Sequence, residues 1–251
     1  MSISLAVPDV FDEPSLWRFE AAAHLGLAND DMVAVMSPGP AFPAALRSLR
    51  SALPIPPRAI VDLGAGCGGV SEWLRIETAA TVYAVEPAAG ARAVAGRAFP
   101  NLRVIDGRAD LVPLPDGVAD TVILSGILSL MSDVIGVLEE VDRLLGCNGQ
   151  VVIADLFSSS GGSRRSAPNF FRSVEDLMGT LRRHGFTTTN VGCGAPGPDP
   201  SWSAAAHAVD DWIDEHCSSR AGYQQWDIDR RHLRHQARSG AVIGGCIVAV
   251  R

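Results

Sequence analysis

The stretch Ala59-Ile-Val-Asp-Leu-Gly-Ala-Gly-Cys-Gly-Gly69 decides the fold of this chain. A short apolar run leads directly into glycines at positions 64, 66, 68 and 69. Glycine permits a sharp turn and lets a ligand approach the backbone more closely than a Cβ atom would allow. The stretch therefore predicts a β-strand that runs into a nucleotide-binding loop. Asp62 supports this interpretation, because a carboxylate inside an apolar strand needs a partner and a cationic ligand is one such partner.

A second strand pattern, Thr81-Val-Tyr-Ala-Val-Glu86, ends in an acid that is well placed to accept hydrogen bonds from ribose hydroxyls. These two patterns leave two families of nucleotide site open, because the glycines also satisfy the dinucleotide-binding fingerprint. Three later segments separate the families. They are Asp106–Gly117, with its Pro113-Leu-Pro-Asp116 motif, Ala119–Ser125, and Leu138–Gly149 with the run Val151-Val-Ile-Ala-Asp155 that follows it.

On these residues the chain, from about Ala59 to Phe186, resembles the class I S-adenosylmethionine-dependent methyltransferases. The resemblance implies that S-adenosylmethionine is the cofactor. It also implies that the glycine loop lies against the methionine and ribose, that the acid after the second strand holds both ribose hydroxyls, and that the loop after the third strand flanks the adenine. The expected cofactor-binding residues are Asp62, Gly64, Ala65, Gly66, Glu86, Pro87, Arg108, Ala109 and Ser125.

The chain departs from the family pattern at two places in the expected site. Many relatives carry Gly-Asp-Ala where this chain has Gly107-Arg108-Ala109, so a side-chain acceptor for the adenine amino group is missing at 108. Asp110 or a backbone carbonyl is the alternative acceptor. After the fourth strand, Leu128 is followed by Ser129 and Leu130 instead of a histidine pair. The resemblance therefore assigns no catalytic base.

From Ala59 onward, strand patterns alternate with helix patterns, which predicts an α/β fold with a doubly wound, Rossmann-like sheet. We expect seven mostly parallel strands, near 59–63, 81–86, 102–106, 119–125, 150–155, 186–192 and 241–250. Helices are expected near 69–77, 88–99, 132–145 and 174–184. The ligand of such a sheet lies at the carboxyl ends of its strands. Gly64, Glu86, Ala109 and Ser125 all fall there, so one crevice is predicted.

The predicted organisation has four parts: an N-terminal helical cap (1–55), a cofactor-binding core (56–193), a helical insertion (194–239) and a final core strand (240–251). The insertion is interpreted as a substrate-side cap, with the surface of a homodimer as the alternative. The Gly/Ser-rich run Ser158–Ser166 is expected to be a mobile loop at the edge of the crevice.

Five side chains are candidates for the acceptor pocket or for a base: Trp17, His24, Asp155, His207 and Tyr223. Other interpretations stay open for three of them: packed core for Trp17, the protein surface for His24 and a helix cap for Asp155. Arginines 230, 231 and 234 are candidates to pair with a carboxylate on the acceptor, because guanidinium groups bind carboxylates bidentately. A solvated helix face is the alternative for this basic stretch.

Composition narrows the function classes. With 251 residues and 47% hydrophobic side chains, the chain can bury one full core. The net charge of −7 argues against a nucleic-acid partner, which would require clustered positive charge. All 21 basic residues are arginine, which excludes a Walker-type phosphate loop, Schiff-base chemistry and a Tyr-x-x-x-Lys dehydrogenase.

The five cysteines are widely spaced, so neither a disulfide framework nor a metal site is expected. No signal-peptide or membrane-span pattern is present, so no membrane partner is expected and the cytoplasm is the expected compartment. The expected function is methyl transfer from S-adenosylmethionine to a small molecule, in specialised metabolism. The alternatives are a protein of the same fold that binds the cofactor but has lost transfer, and a nicotinamide-dependent oxidoreductase.

Overall fold

A computed structural model describes residues 8–39, 57–166, 169–193 and 200–251 of the chain. Within them the helices are α1 Pro8–His24, α2 Asn29–Val35, α3 Gly69–Thr78, α4 Ala89–Ala98, α5 Ile135–Leu144, α6 Val174–Arg183, α7 Pro200–Cys217 and α8 Tyr223–Arg238. The strands are β1 Ala59–Leu63, β2 Thr81–Glu86, β3 Arg103–Asp106, β4 Ala119–Ser125, β5 Leu145–Ser158, β6 Arg164–Ser166, β7 Asn169–Phe171, β8 Thr187–Cys193 and β9 Val242–Val250.

Seven of the strands form one sheet in the order β3-β2-β1-β4-β5-β9-β8. The first five run parallel to one another, whereas β9 runs antiparallel to both β5 and β8. This confirms the predicted doubly wound, mostly parallel, seven-stranded fold. The order reverses between β1 and β4, and a ligand of such a sheet binds at this switch point, beyond the carboxyl ends of the two strands.

Both faces of the sheet are covered, so its central strands β1, β2 and β4 are mostly buried. In β4, Ile123 belongs to one buried cluster, whereas Val122 and Leu124 belong to the cluster on the other face. Successive side chains of a strand point to opposite faces, which explains this division. A strand that is buried on both sides has a nearly continuous apolar sequence, and this is why β1, β2 and β4 could be predicted from the sequence.

The helices of the insertion belong to the main core. Val209, Ile213 and Cys217 of α7 are completely buried in the same cluster as Trp17 of α1 and Val152 of β5. Helix α7 packs against α1 and α2, and α8 contacts α1 and β9. The described part of the insertion therefore packs against the N-terminal helices, and both lie on the same face of the sheet. Residues 194–199 of the insertion, and 1–7 and 40–56 of the N-terminal segment, lie outside the described residues.

The Gly/Ser-rich segment 158–166, expected to be a mobile loop, has strand residues at both of its ends, and its mobility stays a prediction. Strand β5 continues to Ser158, and β6 pairs antiparallel with β7 in the register Arg164↔Phe171. The Gly/Ser composition of this segment suggested flexibility, but the strand pairing of its last three residues, Arg164–Ser166, was not apparent from composition. The hairpin β6–β7 leads directly into α6, whose N-cap Ser173 accepts a hydrogen bond of 3.1 Å from the backbone N–H of Asp176.

Candidate functional site

The glycine loop after β1 turns sharply at the switch point of the sheet. Gly64 has φ +71° and Gly66 has φ +56°, a left-handed conformation that glycine adopts without strain. The backbone N–H groups of Gly64 and Ala65 both donate to the Val85 carbonyl of β2, at 2.8 and 3.0 Å. A Cβ atom on Gly64 would collide with the side chain of Ile127. Conformation and close packing therefore both require glycine at 64.

Glu86, at the carboxyl end of β2, holds this loop. Its two carboxylate oxygens accept hydrogen bonds from the backbone N–H groups of Gly66, at 2.8 Å, and Ala88, at 2.9 Å. The side chain is buried, and burial raises the pKa of Glu86 above its ordinary value although these hydrogen bonds act in the opposite direction. A carboxylate oxygen accepts more than one hydrogen bond, so Glu86 retains capacity for ligand hydroxyls.

Asp62 is completely buried, and only one of its oxygens has a partner. Oδ2 accepts a hydrogen bond of 2.5 Å from the Ser71 hydroxyl, whereas no described group donates to Oδ1. Burial raises the pKa of Asp62 to about 7, opposed by the Ser71 hydrogen bond and reinforced by the charge of Glu86. A buried polar atom without a partner is costly, so a donor on a ligand, above all a cationic one, would satisfy it.

These residues line one cavity of about 440 Å³ at the carboxyl ends of β1, β2 and β4. Every residue that the sequence indicates for the cofactor lies in its lining: Asp62, Gly64, Ala65, Gly66, Glu86, Pro87, Arg108, Ala109 and Ser125. The structure thus brings them together in one crevice. Their contacts with a cofactor stay a prediction.

Arg108, which departs from the family pattern, is paired at the rim of the cavity. Its guanidinium donates to both carboxylate oxygens of Asp110, at 2.9 and 2.8 Å. The side chains are 56% and 38% exposed, so water screens this pair and it contributes little stability. The pKa of Asp110 is lowered by the Arg108 hydrogen bonds. Asp110 is therefore already engaged as an acceptor, whereas the sequence suggested it as a substitute partner for adenine.

The other side of the cavity includes parts of the predicted N-terminal helical cap, but none of its lining residues was a candidate from the sequence. It is formed by the start of α1, the end of α2 with the residues after it, and the segment that follows β4. The lining residues there include Phe11, Ser15, Met36, Ile127, Leu130, Met131 and Asp133. Ser37, Pro38 and Gly39, which follow α2, also line the cavity.

The five candidates for acceptor binding do not lie in the described lining of this cavity. Trp17 is fully buried and packs edge-on against Trp226, with ring centroids 5.9 Å apart. Tyr223 is also buried, and its hydroxyl donates to Asp214 at 2.6 Å. Both side chains therefore belong to the contact between α1 and the insertion helices.

The remaining candidates are also engaged or distant. His24 lies beside Trp212, at 5.6 Å between ring centroids, and His207 is exposed on α7. Asp155 is completely buried, and its Oδ2 atom accepts from the backbone N–H groups of Leu128 and Ser129, at 2.8 and 3.1 Å. Asp155 therefore caps the short 3-10 helix Leu128–Leu130, as the alternative interpretation held.

The arginines of α8 are already neutralised, which corrects their expected role in binding an acceptor carboxylate. Arg230 pairs with Asp214 and Asp227, Arg231 pairs with Asp227 at 2.8 Å, and Arg234 pairs with Asp210. The sequence showed the basic residues of one helix but not the acids that the neighbouring helix supplies. Among the described residues, no group of three or more His, Cys, Asp and Glu side chains could hold a metal ion.

Comparisons with known proteins agree with this geometry. Residues 61–153 match the family model described as a methyltransferase domain. A sequence comparison with curated proteins found no significant match. Three solved structures illustrate the similarity of fold. A putative sarcosine dimethylglycine methyltransferase from Galdieria sulphuraria is 17% identical with a TM-score of 0.62, over 82% of this chain and 83% of that one.

The second is a 1,6-didemethyltoxoflavin-N1-methyltransferase from Burkholderia thailandensis, solved with bound 1,6-didemethyltoxoflavin and S-adenosylhomocysteine. It is 19% identical with a TM-score of 0.56, over 100% of this chain and 93% of that one. The third, the cyclase SpnF, is 18% identical with a TM-score of 0.60, over 77% and 74% of the two chains. At such identities the likeness shows the fold alone.

The fold and the crevice define a doubly wound protein with a nucleoside-cofactor site at its switch point. The match over 61–153 supports the resemblance to the class I S-adenosylmethionine-dependent methyltransferases: this part of the chain is similar to a methyltransferase domain, which agrees with S-adenosylmethionine as the cofactor. The sequence features that led to this family are the glycine loop, Glu86 and the segments around β4 and β5.

Proposed function

We propose that this protein transfers the methyl group of S-adenosylmethionine to a small, partly apolar molecule that binds in the same cavity. The observation that carries the proposal is the division of one cavity into two halves. One half holds the motif residues from Asp62 to Ser125, and the other is walled by Phe11, Met36, Leu130 and Met131. A mainly apolar wall with a few polar groups suits a small-molecule ligand.

The cofactor half fits a cationic nucleoside that carries free hydroxyls. Asp62 offers a buried oxygen without a partner, which suits the ammonium group of the methionine portion. Glu86 retains lone pairs for the ribose hydroxyls while it holds the glycine loop. The bound cofactor supplies a methyl group on a sulfonium ion, and the protein aligns the acceptor and excludes water.

The described lining narrows the class of acceptor. Its ionisable side chains are Asp62, Cys67, Glu86, Arg108, Asp110 and Asp133, and it contains no histidine, tyrosine or lysine. Arg108 is the one cation among the described lining residues, and it is paired with Asp110. We therefore favour an acceptor without a negative charge, such as an amine in its neutral form, over an acceptor that bears a carboxylate or phosphate. A neutral amine needs no base to begin its attack.

The second candidate is a protein of the same fold that binds the cofactor without transferring its methyl group. The similarity to the cyclase SpnF favours keeping it, because that protein shares the fold and its name describes another reaction. The β1–β4 crevice is equally compatible with both candidates, so the two differ in turnover and not in cofactor affinity.

A panel of acceptors separates the candidates. Purified protein is incubated with S-adenosylmethionine and with amines, phenols, activated carbon acids and carboxylates of similar size, and S-adenosylhomocysteine is measured by mass spectrometry. Methyl transfer predicts its formation above a no-acceptor control with at least one neutral or amine acceptor. Cofactor binding without any turnover across the panel would favour the second candidate. Preferential turnover of carboxylates would contradict the acceptor class.

A further inference from the structure

The segment 127–133, after β4, forms most of one wall on the acceptor side of the cavity. Ile127, Leu130, Met131, Ser132 and Asp133 all belong to the lining. Within the segment, the 3-10 helix Leu128–Leu130 makes only one turn. So short a helix has little stability of its own, and its conformation depends on groups that bind its ends.

Arg172 binds the carbonyl groups of this segment from behind the cavity wall. Its Nη1 atom donates to the Leu128 carbonyl at 2.8 Å, and Nη2 donates to the carbonyls of Met131 and Ser132, at 2.8 and 2.9 Å. The residue is only 9% exposed and is not part of the cavity lining. A planar guanidinium with donors in a fixed fork suits this arrangement, since one cation spans both ends of the turn.

Asp155 binds the same segment at the N-terminal end of the 3-10 helix. It accepts from the N–H groups of Leu128 and Ser129, whereas Arg172 donates to backbone carbonyls. The buried carboxylate of Asp155 thus binds N–H groups of the segment, and the buried guanidinium of Arg172 binds its carbonyls. The charge of Arg172 in turn is offset by the nearby charges of Asp155 and Asp133.

The position of Arg172 is itself set by the hairpin β6–β7. Its backbone carbonyl accepts a hydrogen bond of 2.8 Å from the N–H of Ser158, at the end of β5. Its guanidinium also lies 4.8 Å from the centre of the Phe170 ring in β7. At the other end of the hairpin, the Ser166 hydroxyl lies 2.7 Å from Nε2 of His232 in α8. The hairpin therefore connects the insertion to the acceptor wall.

We propose that Arg172 is a positioning residue that fixes the acceptor wall 127–133 and thereby determines which acceptors fit, without contributing to cofactor binding. The inference rests on the proposed function in one respect, namely that the acceptor occupies this side of the cavity. Its structural part, the hold on 127–133, does not depend on any ligand and can be tested separately.

The test is amide hydrogen exchange of the full chain, free and with S-adenosylhomocysteine, in wild type, Arg172→Met and Arg172→Lys. We expect exchange within 127–133 to accelerate about tenfold or more in Arg172→Met, since hydrogen bonds from a charged donor are lost. Arg172→Lys keeps the cation but cannot span three carbonyls, so it should accelerate exchange there to a smaller extent. Affinity for S-adenosylhomocysteine should stay within about threefold of wild type in both variants, a change worth about 0.7 kcal/mol.

Arg143→Met is the matched control, because Arg143 binds the carbonyls of Leu114 and Val112, at 2.8 and 3.0 Å, in a segment outside the cavity lining. It should accelerate exchange near 112–117 and leave 127–133 unchanged. Once the panel yields an acceptor, Arg172→Lys should raise its KM much more than it lowers kcat.

Two results would overturn the inference: unchanged exchange in 127–133, or acceleration spread evenly over the sheet, which would indicate a general structural role. Failure of the proposed function would look different, since wild-type protein would then form no S-adenosylhomocysteine with any acceptor of the panel while the exchange pattern of the variants persisted. If Arg172→Met fails to fold, Arg172→Lys alone decides the outcome.

Discussion

The Glu86 carboxylate accepts a hydrogen bond of 2.8 Å from the backbone N–H of Gly66, so the acid that ends β2 holds the glycine loop that follows β1. The second carboxylate oxygen binds the N–H of Ala88 at the start of α4. A single buried side chain thus joins two strand ends and a helix at the switch point of the sheet. Its substitution should affect the loop and the ligand together.

Glu86→Ala should weaken binding of S-adenosylmethionine by about 1.5–3 kcal/mol, the range for hydrogen bonds that involve a charged group. The physical reason is the loss of the ribose contacts and of the support for Gly66. Calorimetric titration of the folded variant measures the effect, with Glu86→Gln as the control that keeps one oxygen acceptor and should lose less. An unchanged affinity in Glu86→Ala would mean that the ribose is held elsewhere.

Asp62 should make cofactor affinity depend on pH. Its pKa is raised to about 7, so the carboxyl group is mostly protonated at pH 6 and gains charge as the pH rises. A cationic ligand favours the charged form, so affinity should rise between pH 6 and 7.5, below the range in which an α-amino group titrates. Titrations in this window check the effect. Asp62→Asn should bind more weakly and show a flatter profile, and equal slopes for the two proteins would refute the assignment.

Gly64→Ala should destabilise the protein and weaken cofactor binding. The substitution forces a non-glycine residue into φ +71° and drives its Cβ atom into Ile127. Backbone strain of this kind is worth about 1–3 kcal/mol, and the collision adds to it. Urea unfolding together with calorimetry measures both effects.

Gly96→Ala is the matched control for Gly64→Ala. It lies in α4 with open space around the added Cβ atom, so it should stabilise the protein by up to about 1 kcal/mol. Equal unfolding free energies for the two variants would contradict the packing argument.

Arg108→Ala should leave affinity for S-adenosylmethionine within about threefold of wild type, because the Arg108 side chain is half exposed and pairs with Asp110. Arg108→Asp, which restores the residue type common in relatives, should preserve or slightly improve affinity. A marked loss in both variants would show that the guanidinium lies against the adenine. The same calorimetric titration distinguishes these outcomes.

The parallel half of the sheet could be predicted closely because each strand carries its own local signal. Strands β1, β2 and β4 begin and end at the residues that their apolar runs indicate. The glycine loop and Glu86 follow from those strand ends, since a strand order with one switch point brings them to the same edge. The cofactor half of the cavity was therefore accessible from the sequence.

The acceptor half was not accessible, because it depends on contacts between distant segments. Helical periodicity shows that α1 and α7 have apolar faces but not that Trp17 packs on Trp226. The sequence near Arg172 gives no sign that its guanidinium binds the turn after β4. Leu128 in that turn lies 44 residues away along the chain. Such pairings follow from tertiary structure, where propensity has little influence.

The most direct test of the central claim is calorimetric titration of the purified, folded protein with S-adenosylmethionine and with S-adenosylhomocysteine. Circular dichroism establishes that the protein is folded, and Glu86→Ala serves as the weakened reference. We predict one-to-one binding of both ligands, with lower affinity in the variant. The absence of binding heat with either ligand at several temperatures, in protein shown to be folded, would contradict the claim that this crevice is a methyltransferase cofactor site.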